Sequence, residues 1–170
     1  MDLKQYIADV PDFPQKGVLF RDITPLLQNP DAFRYVIDEF IRMFEARGID
    51  VIVPIEARGF VFGGPLAYKL GVSLVPVRKP GKLPRETVDV QYKLEYGTSS
   101  AEVHEDGVRQ GQRALIVDDL LATGGTAAAT IHLVEKTGGI IAGLAFLIEL
   151  EDLKGRDRLK GYPFVSLIKY

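Results

Sequence analysis

The 170-residue chain contains no cysteine. That excludes a disulfide framework, a thiol nucleophile and any metal site built on thiolates. Histidine is nearly as scarce. His104 and His132 have no partner at ligand spacing, and both read as structural. No apolar run approaches the roughly 20 residues needed to cross a bilayer, and the opening Met1-Asp2-Leu3-Lys4 carries no signal-peptide pattern. A large charge excess is also missing. With 21 Lys and Arg against 23 Asp and Glu the net charge is -2, so neither nucleic acid nor a membrane is an expected partner. A reducing cytoplasm is the expected compartment. What remains is a chain that is 46% hydrophobic, enough for a two- or three-layer core in one domain over 1–170.

The richest segment is Leu115-Ile116-Val117-Asp118-Asp119-Leu120-Leu121-Ala122-Thr123-Gly124-Gly125-Thr126. An apolar run, Ala114 to Val117, is long enough for a buried strand and ends in two adjacent carboxylates. A small glycine-rich turn with two threonine hydroxyls follows, and then a helix-forming segment from Ala127 onward. Backbone N–H groups of Thr123 to Thr126, with the positive end of the helix dipole, would cradle a phosphate. Asp118 and Asp119 can accept hydrogen bonds from two neighbouring ribose hydroxyls. The order of strand, acids, loop and helix makes a place for a phosphorylated sugar. No Gly-Lys-Ser/Thr follows at Walker A spacing, and there is no G-x-G-x-x-G dinucleotide pattern.

Helices and strands alternate along the rest of the chain, without linker or repeat. Asp2 to Val10 reads as a short amphipathic helix. Asn29 caps a second helix with Pro30 at its first position; Phe33, Val36, Ile37, Phe40, Ile41 and Phe44 recur at helical spacing, and Gly48 stops it. Asp50 to Ile55 reads as a buried strand, followed by Glu56-Ala57-Arg58-Gly59 and a helix to about Leu70. Pro54 stiffens that strand's exit and removes a donor. Ser73 to Val77 is a further strand. From Thr87 to Tyr96 the pattern alternates strictly, with Val88, Val90, Tyr92, Leu94 and Tyr96 on one face, which predicts an antiparallel ribbon paired with Ser100 to Glu105. Thr126 to Thr137 is helix, Ile140 to Leu150 strand, Leu153 to Leu159 short helix and Pro163 to Ile168 a last strand. Alternation of this kind predicts a mainly parallel sheet with the site at the strands' carboxyl ends.

The Asp118-to-Thr126 element resembles the phosphoribosyl-pyrophosphate (PRPP) motif of the type I phosphoribosyltransferases. Four further segments fit: Glu56-Ala57-Arg58-Gly59-Phe60, Arg78-Lys79-Pro80-Gly81-Lys82-Leu83-Pro84, Leu94-Glu95-Tyr96-Gly97, and Phe13-Pro14 with Gly17 to Ile23. Together they resemble the adenine-using branch of that family, in order over nearly the whole chain. The resemblance implies an α/β three-layer fold with a mainly parallel central sheet, a small hood and a flexible antiparallel loop. It implies transfer of a 5-phosphoribosyl group from PRPP to N9 of adenine, yielding AMP and pyrophosphate in purine salvage.

Roles follow position by position from the same resemblance. Asp118, Asp119, Ala122, Thr123, Gly124, Gly125 and Thr126 would hold the ribose and 5-phosphate. Arg58, Arg78, Lys79 and Lys82 would neutralise pyrophosphate, Arg58 with its planar fork and the lysines as point charges. Phe20 would stack on adenine while the backbone of Leu19 and Arg21 reads its edge. Glu95 would be the catalytic acid/base on the purine ring, in a lid whose Tyr96 covers the ribose. Magnesium (Mg2+) would bind through substrate oxygens and water, with no direct protein ligand. A homodimer is the family expectation. Two alternatives stay open: an enzyme of this class using hypoxanthine, guanine or xanthine, and a PRPP-sensing regulator that grips nucleic acid. The Gly17 to Ile23 segment disfavours the first, and the acidic, single-domain chain disfavours the second.

Overall fold

The computed structural model describes residues 1–93 and 98–170. Two compact units follow one another along the chain, Met1–Glu39 and Phe40–Tyr170.

In the first unit a single 3-10 turn, Leu3–Tyr6, is capped by the Asp2 carboxylate, which accepts from the Lys4 N–H. Strand β1 (Ala8–Pro11) follows at once and pairs antiparallel with β2 (Leu19–Asp22). The helix expected over Asp2 to Val10 is therefore one turn and a strand. Its apolar spacing fits either period over so few residues, and pairing with β2 decides it. A short helix α1 (Thr24–Gln28) precedes α2 (Pro30–Phe44), which crosses the unit boundary. Asn29 caps α2, its Oδ1 accepting from Asp31 N–H at 3.1 Å and Ala32 N–H at 2.9 Å. A 3-10 turn over Glu45–Arg47 leads to Gly48, whose left-handed φ of 62° ends the run.

In the second unit, among the described residues, a parallel sheet of five strands has the order β4-β3-β7-β8-β9. Its members are β3 (Val51–Pro54), β4 (Ser73–Leu74), β7 (Arg113–Leu121), β8 (Ile140–Glu149) and β9 (Phe164–Lys169). Helix α3 (Gly59–Leu70) links β3 to β4, and α4 (Gly125–Lys136) links β7 to β8. Between β4 and β7 lies an antiparallel ribbon, β5 (Thr87–Lys93) and β6 (Thr98–His104). The expected strand over Ser73 to Val77 shortens to a two-residue strand with a separate Ile55–Val77 bridge. The helix expected over Leu153 to Leu159 is a pair of 3-10 turns, Glu151–Leu153 and Gly155–Leu159.

Period-two alternation sorts the sheet residues between two faces. Val51, Val53, Ala114, Ile116, Leu144 and Phe146 belong to a buried cluster with Ala127, Ile131 and Val134 of α4 and Ala101 and Val103 of the ribbon. The opposite face takes α3 and the end of α2. There a Cβ on Gly63 would meet the Pro54 side chain at 2.6 Å, and one on Gly143 would meet the Phe44 ring at 2.4 Å. Phe44 is fully buried, so its ring has no room to retreat. Gly143→Ala should therefore destabilise the fold by about 1–3 kcal/mol through overpacking, read as a lower urea midpoint at unchanged slope.

Candidate active site

The chain leaves β3 through α3 toward one edge of the sheet and leaves β7 through α4 toward the other. The crevice at the carboxyl ends of these two neighbours is the topological switch point, where open α/β sheets hold their ligands. Glu56, Ala57 and Arg58 follow β3 there. Asp118 and Asp119 lie in the carboxyl-terminal part of β7, which runs on past the apolar run to Leu121. The reason is in the pairing: β3 stops at Pro54, opposite Val117, while β8 keeps β7 extended as far as Leu121, opposite Glu149. On its β3 side, β7 has outrun its neighbour, and that stretch carries the acids.

Gly59 sets the distance across the crevice. A Cβ there would lie 2.5 Å from the Val117 carbonyl oxygen and 3.3 Å from Asp118 Cα. Only a glycine lets the start of α3 come this close to β7. The adjoining Arg58 then reaches Asp119, Nε to Oδ2 at 2.8 Å. Asp119 is 5% exposed, and its backbone N–H donates to Asp118 Oδ1 at 2.9 Å. Burial pushes the Asp118 carboxyl well above the usual carboxylate range, and the adjacent Asp119 charge adds to that. Burial also raises Asp119, against the opposing pull of the Arg58 guanidinium.

The loop after β7 turns on Gly124, whose φ of 77° is left-handed and which precedes the first residue of α4 without any side-chain cap. Leading N–H groups of a helix have no intrahelical partner. Here the loop from Ala122 to Thr126 walls a small cavity of about 70 Å3 that Asp118 also lines. Uncapped donors and a helix dipole around such a cavity suit an anion.

A larger cavity of about 290 Å3 adjoins it and brings together Arg58, Arg78, Lys79, Asp118, Asp119, Ala122 and Thr126. Glu56, also on its wall, takes both Arg78 Nε at 3.3 Å and Nη2 at 3.2 Å, and accepts from the Lys79 N–H at 2.9 Å. The Arg78 and Lys79 donors hold the Glu56 carboxyl below its ordinary value. Lys82 is exposed and stands outside this wall. Its backbone N–H and that of Leu83 donate to Glu102 Oε1, both at 3.0 Å. Leu19, Phe20 and Arg21 lie on β2 in the first unit, where the Phe20 ring meets Phe13 edge-on at 5.1 Å and Arg21 pairs with Asp9. Glu95 and Tyr96 fall outside the described residues.

Three contributors escaped the sequence reading. Glu56 lies two residues before Arg58, and nothing local marks it as the carboxylate that holds Arg78. Tyr92 faces inward on the alternating ribbon, which was a usable signal, and its hydroxyl lies 3.3 Å from Thr126 Oγ1. Glu102 carried no local signal, since its role comes from pairing with a loop about 20 residues earlier.

A phosphoribosyl transferase domain model matches residues 22–168. The chain belongs to that family. An adenine phosphoribosyltransferase of Thermotoga petrophila is 58% identical over 170 residues, all of both chains. A crystal structure of adenine phosphoribosyltransferase from Thermoanaerobacter pseudethanolicus superposes with a TM-score of 0.96 at 56% identity, covering 99% of this chain and 98% of that one. The Saccharomyces cerevisiae enzyme, complexed with an imino-altritol bisphosphate and adenine, gives 0.92 at 42% identity, with 98% and 96% covered.

In this family member the acid pair opposes stability in the ligand-free state. A carboxyl whose folded pKa is raised keeps a proton that the unfolded chain has released. Folding stability therefore falls as pH rises from about 4, the unfolded value, through the folded one. Asp118→Asn removes that loss while keeping an oxygen for the Asp119 N–H. Its Tm should exceed that of the parent at pH 7 and match it near pH 4, and its transferase rate at pH 7 should drop sharply. An equal or lower Tm at pH 7 would contradict the assigned burial cost.

Proposed function

We propose that the chain is an adenine phosphoribosyltransferase that converts PRPP and adenine to AMP and pyrophosphate, with residues 1–170 acting as one catalytic domain. The observation that carries this reading is the crevice between β3 and β7, which joins an uncapped phosphate-sized loop, an acid pair and a cationic wall. The end-to-end relatives supply the base.

The 5-phosphate sits on the N–H groups of Thr123, Gly124, Gly125 and Thr126. Asp118 and Asp119 accept from the ribose hydroxyls and hold the anomeric carbon in line with the incoming N9. Departure of pyrophosphate leaves positive charge on that carbon and on the ring oxygen, as in glycosyl transfer generally. Arg58, Arg78 and Lys79 balance the charge on the leaving group, with Lys82 at the outer margin. Phe20 stacks on adenine, and the backbone of Leu19 and Arg21 reads its edge. Glu95 exchanges the purine proton within a lid of about residues 90 to 102, and Tyr96 covers the ribose. Water is a competing nucleophile for the same carbon, so closure of the lid protects the reaction.

Magnesium fits this crevice as a companion of the substrate. The carboxylates on its wall are already engaged, Asp119 by Arg58 and Glu56 by Arg78, which suits a metal that keeps water and phosphate oxygens as most of its ligands. When bound with the substrate it would supply positive charge beside the pyrophosphate oxygens, in addition to that of Arg58, Arg78 and Lys79. A homodimer working in the cytoplasm completes the reading; no helix among the described residues is long and apolar enough to cross a membrane.

Two assays test the assignment. A site built to match the exocyclic amine leaves buried groups unpaired against a carbonyl, so kcat/KM for adenine should exceed that for hypoxanthine by at least ~100-fold. Comparable efficiency with hypoxanthine or guanine would move the chain to the broader purine class. For Glu95→Gln, kcat should fall more than PRPP affinity, because proton chemistry matters only once the purine is in place. Wild-type turnover in that variant would remove Glu95 from the mechanism.

A further inference from the structure

Behind the phosphate loop, away from the crevice, lies a second ionic cluster. Glu149, the last residue of β8, is 1% exposed. Its two oxygens receive Arg156 Nε at 2.7 Å and Nη2 at 3.0 Å, and the Ser166 hydroxyl donates at 2.6 Å. Arg156 also stands over the Phe164 ring, 5.7 Å from its centre. The Arg156 fork, and then the Ser166 hydroxyl, hold the Glu149 carboxyl below its ordinary value. Only the Glu149 side of the pair is buried; the Arg156 side chain is 45% exposed, and an ion pair open to water on one side adds little net stability. Net stability alone is therefore a weak account of this cluster, and its position suggests another.

Glu149 is the register partner of Leu121, the last residue before the phosphate loop, and the Leu121 carbonyl accepts from the Leu150 N–H at 2.9 Å. Arg156 follows Gly155, and Gly155 is pressed against the loop itself. A Cβ on Gly155 would lie 2.2 Å from the Ala122 carbonyl oxygen and 3.0 Å from Gly124 N. One on Gly124 would lie 2.5 Å from the Gly155 carbonyl oxygen. The two backbones touch with no side chain between them. The rear wall of the phosphate loop is thus the 155 turn, and a bidentate ion pair ties that turn to the end of β8.

We propose that Glu149, Arg156 and Ser166 are positioning residues for the phosphate loop, fixing Gly155 against Ala122 to Gly124 and so setting the loop's affinity for the substrate's 5-phosphate. This rests on the reading of that loop given above. Recognition by backbone N–H groups depends on their preorganisation, because the groups cannot re-aim as side chains do. A turn held by a two-bond fork keeps its place better than one held by a single exposed contact.

The test measures ribose 5-phosphate binding by calorimetry, together with steady-state KM for PRPP and for adenine, in Gly155→Ala and Arg156→Gln. Arg85→Gln, which breaks the exposed Arg85–Asp106 pair, is the control. Displacement of the loop should weaken ribose 5-phosphate binding and raise the PRPP KM by about 10- to 100-fold, with the adenine KM unchanged and the control at parental values. Arg156→Lys, which keeps the charge but loses the fork, should fall between Arg156→Gln and the parent. An unmodified chain that fails to bind ribose 5-phosphate overturns the reading of the loop, and this inference with it. Binding by the unmodified chain with an unchanged dissociation constant in both variants overturns the positioning role alone. So does loss of the fold in both variants, or a lowered Tm without weaker binding, since either assigns the cluster to stability.

Discussion

The close approach of α3 to β7 at Gly59 governs the crevice. Because nothing but hydrogen projects from Gly59 toward the Val117 carbonyl, the turn before it lies within reach of the acid pair. Arg58 then meets Asp119 directly. A side chain at Gly59 would lift the turn and lengthen every distance across the switch point. Gly63, one helical turn on, repeats the device against Pro54, so the whole first half of α3 lies flat on the sheet. The position of a cation in the crevice is thus fixed by backbone sterics several residues away from any charge.

Other contacts in the site follow the same economy, in which one group both binds and holds. Glu56 keeps Arg78 and the Lys79 backbone at the wall. Glu102 gathers the Lys82 and Leu83 N–H groups, and its backbone exchanges two hydrogen bonds with Arg78. The ribbon and the cationic segment are therefore joined at Arg78 and Glu102. Tyr92, on the partner strand of the same ribbon, reaches Thr126 at the start of α4. The ribbon therefore touches both halves of the crevice.

Much of this was legible because the informative signals were local. The strand–acid–glycine–helix order places the loop between β7 and α4, and the alternation from Thr87 places the ribbon with Tyr92 facing inward. Asn29 and Gly48 mark the ends of a helical run through their short-range capping chemistry. What escaped depends on contacts distant in sequence. The strand carrying Asp118 continues to Leu121 only because β8 accompanies it, and nothing in the run Ala114 to Val117 encodes that. The first residues look helical until β2 claims them as a partner. Gly155 lies in a segment whose apolar spacing suggests a plain helix, and its meaning appears only against Gly124, 31 residues earlier.

Charge balance in the crevice shows what such a site demands of its ligand. Glu56, Asp118 and Asp119 face Arg58, Arg78 and Lys79 around the larger cavity, three acids against three bases. Such a wall has little excess field to draw anions in general. Burial weighs against the charged form of Asp118, so the acids are the costlier side of that balance. The acids have a structural use that stands against this cost to folding. Asp119 holds Arg58 in place across the crevice, which an all-cationic wall could not do.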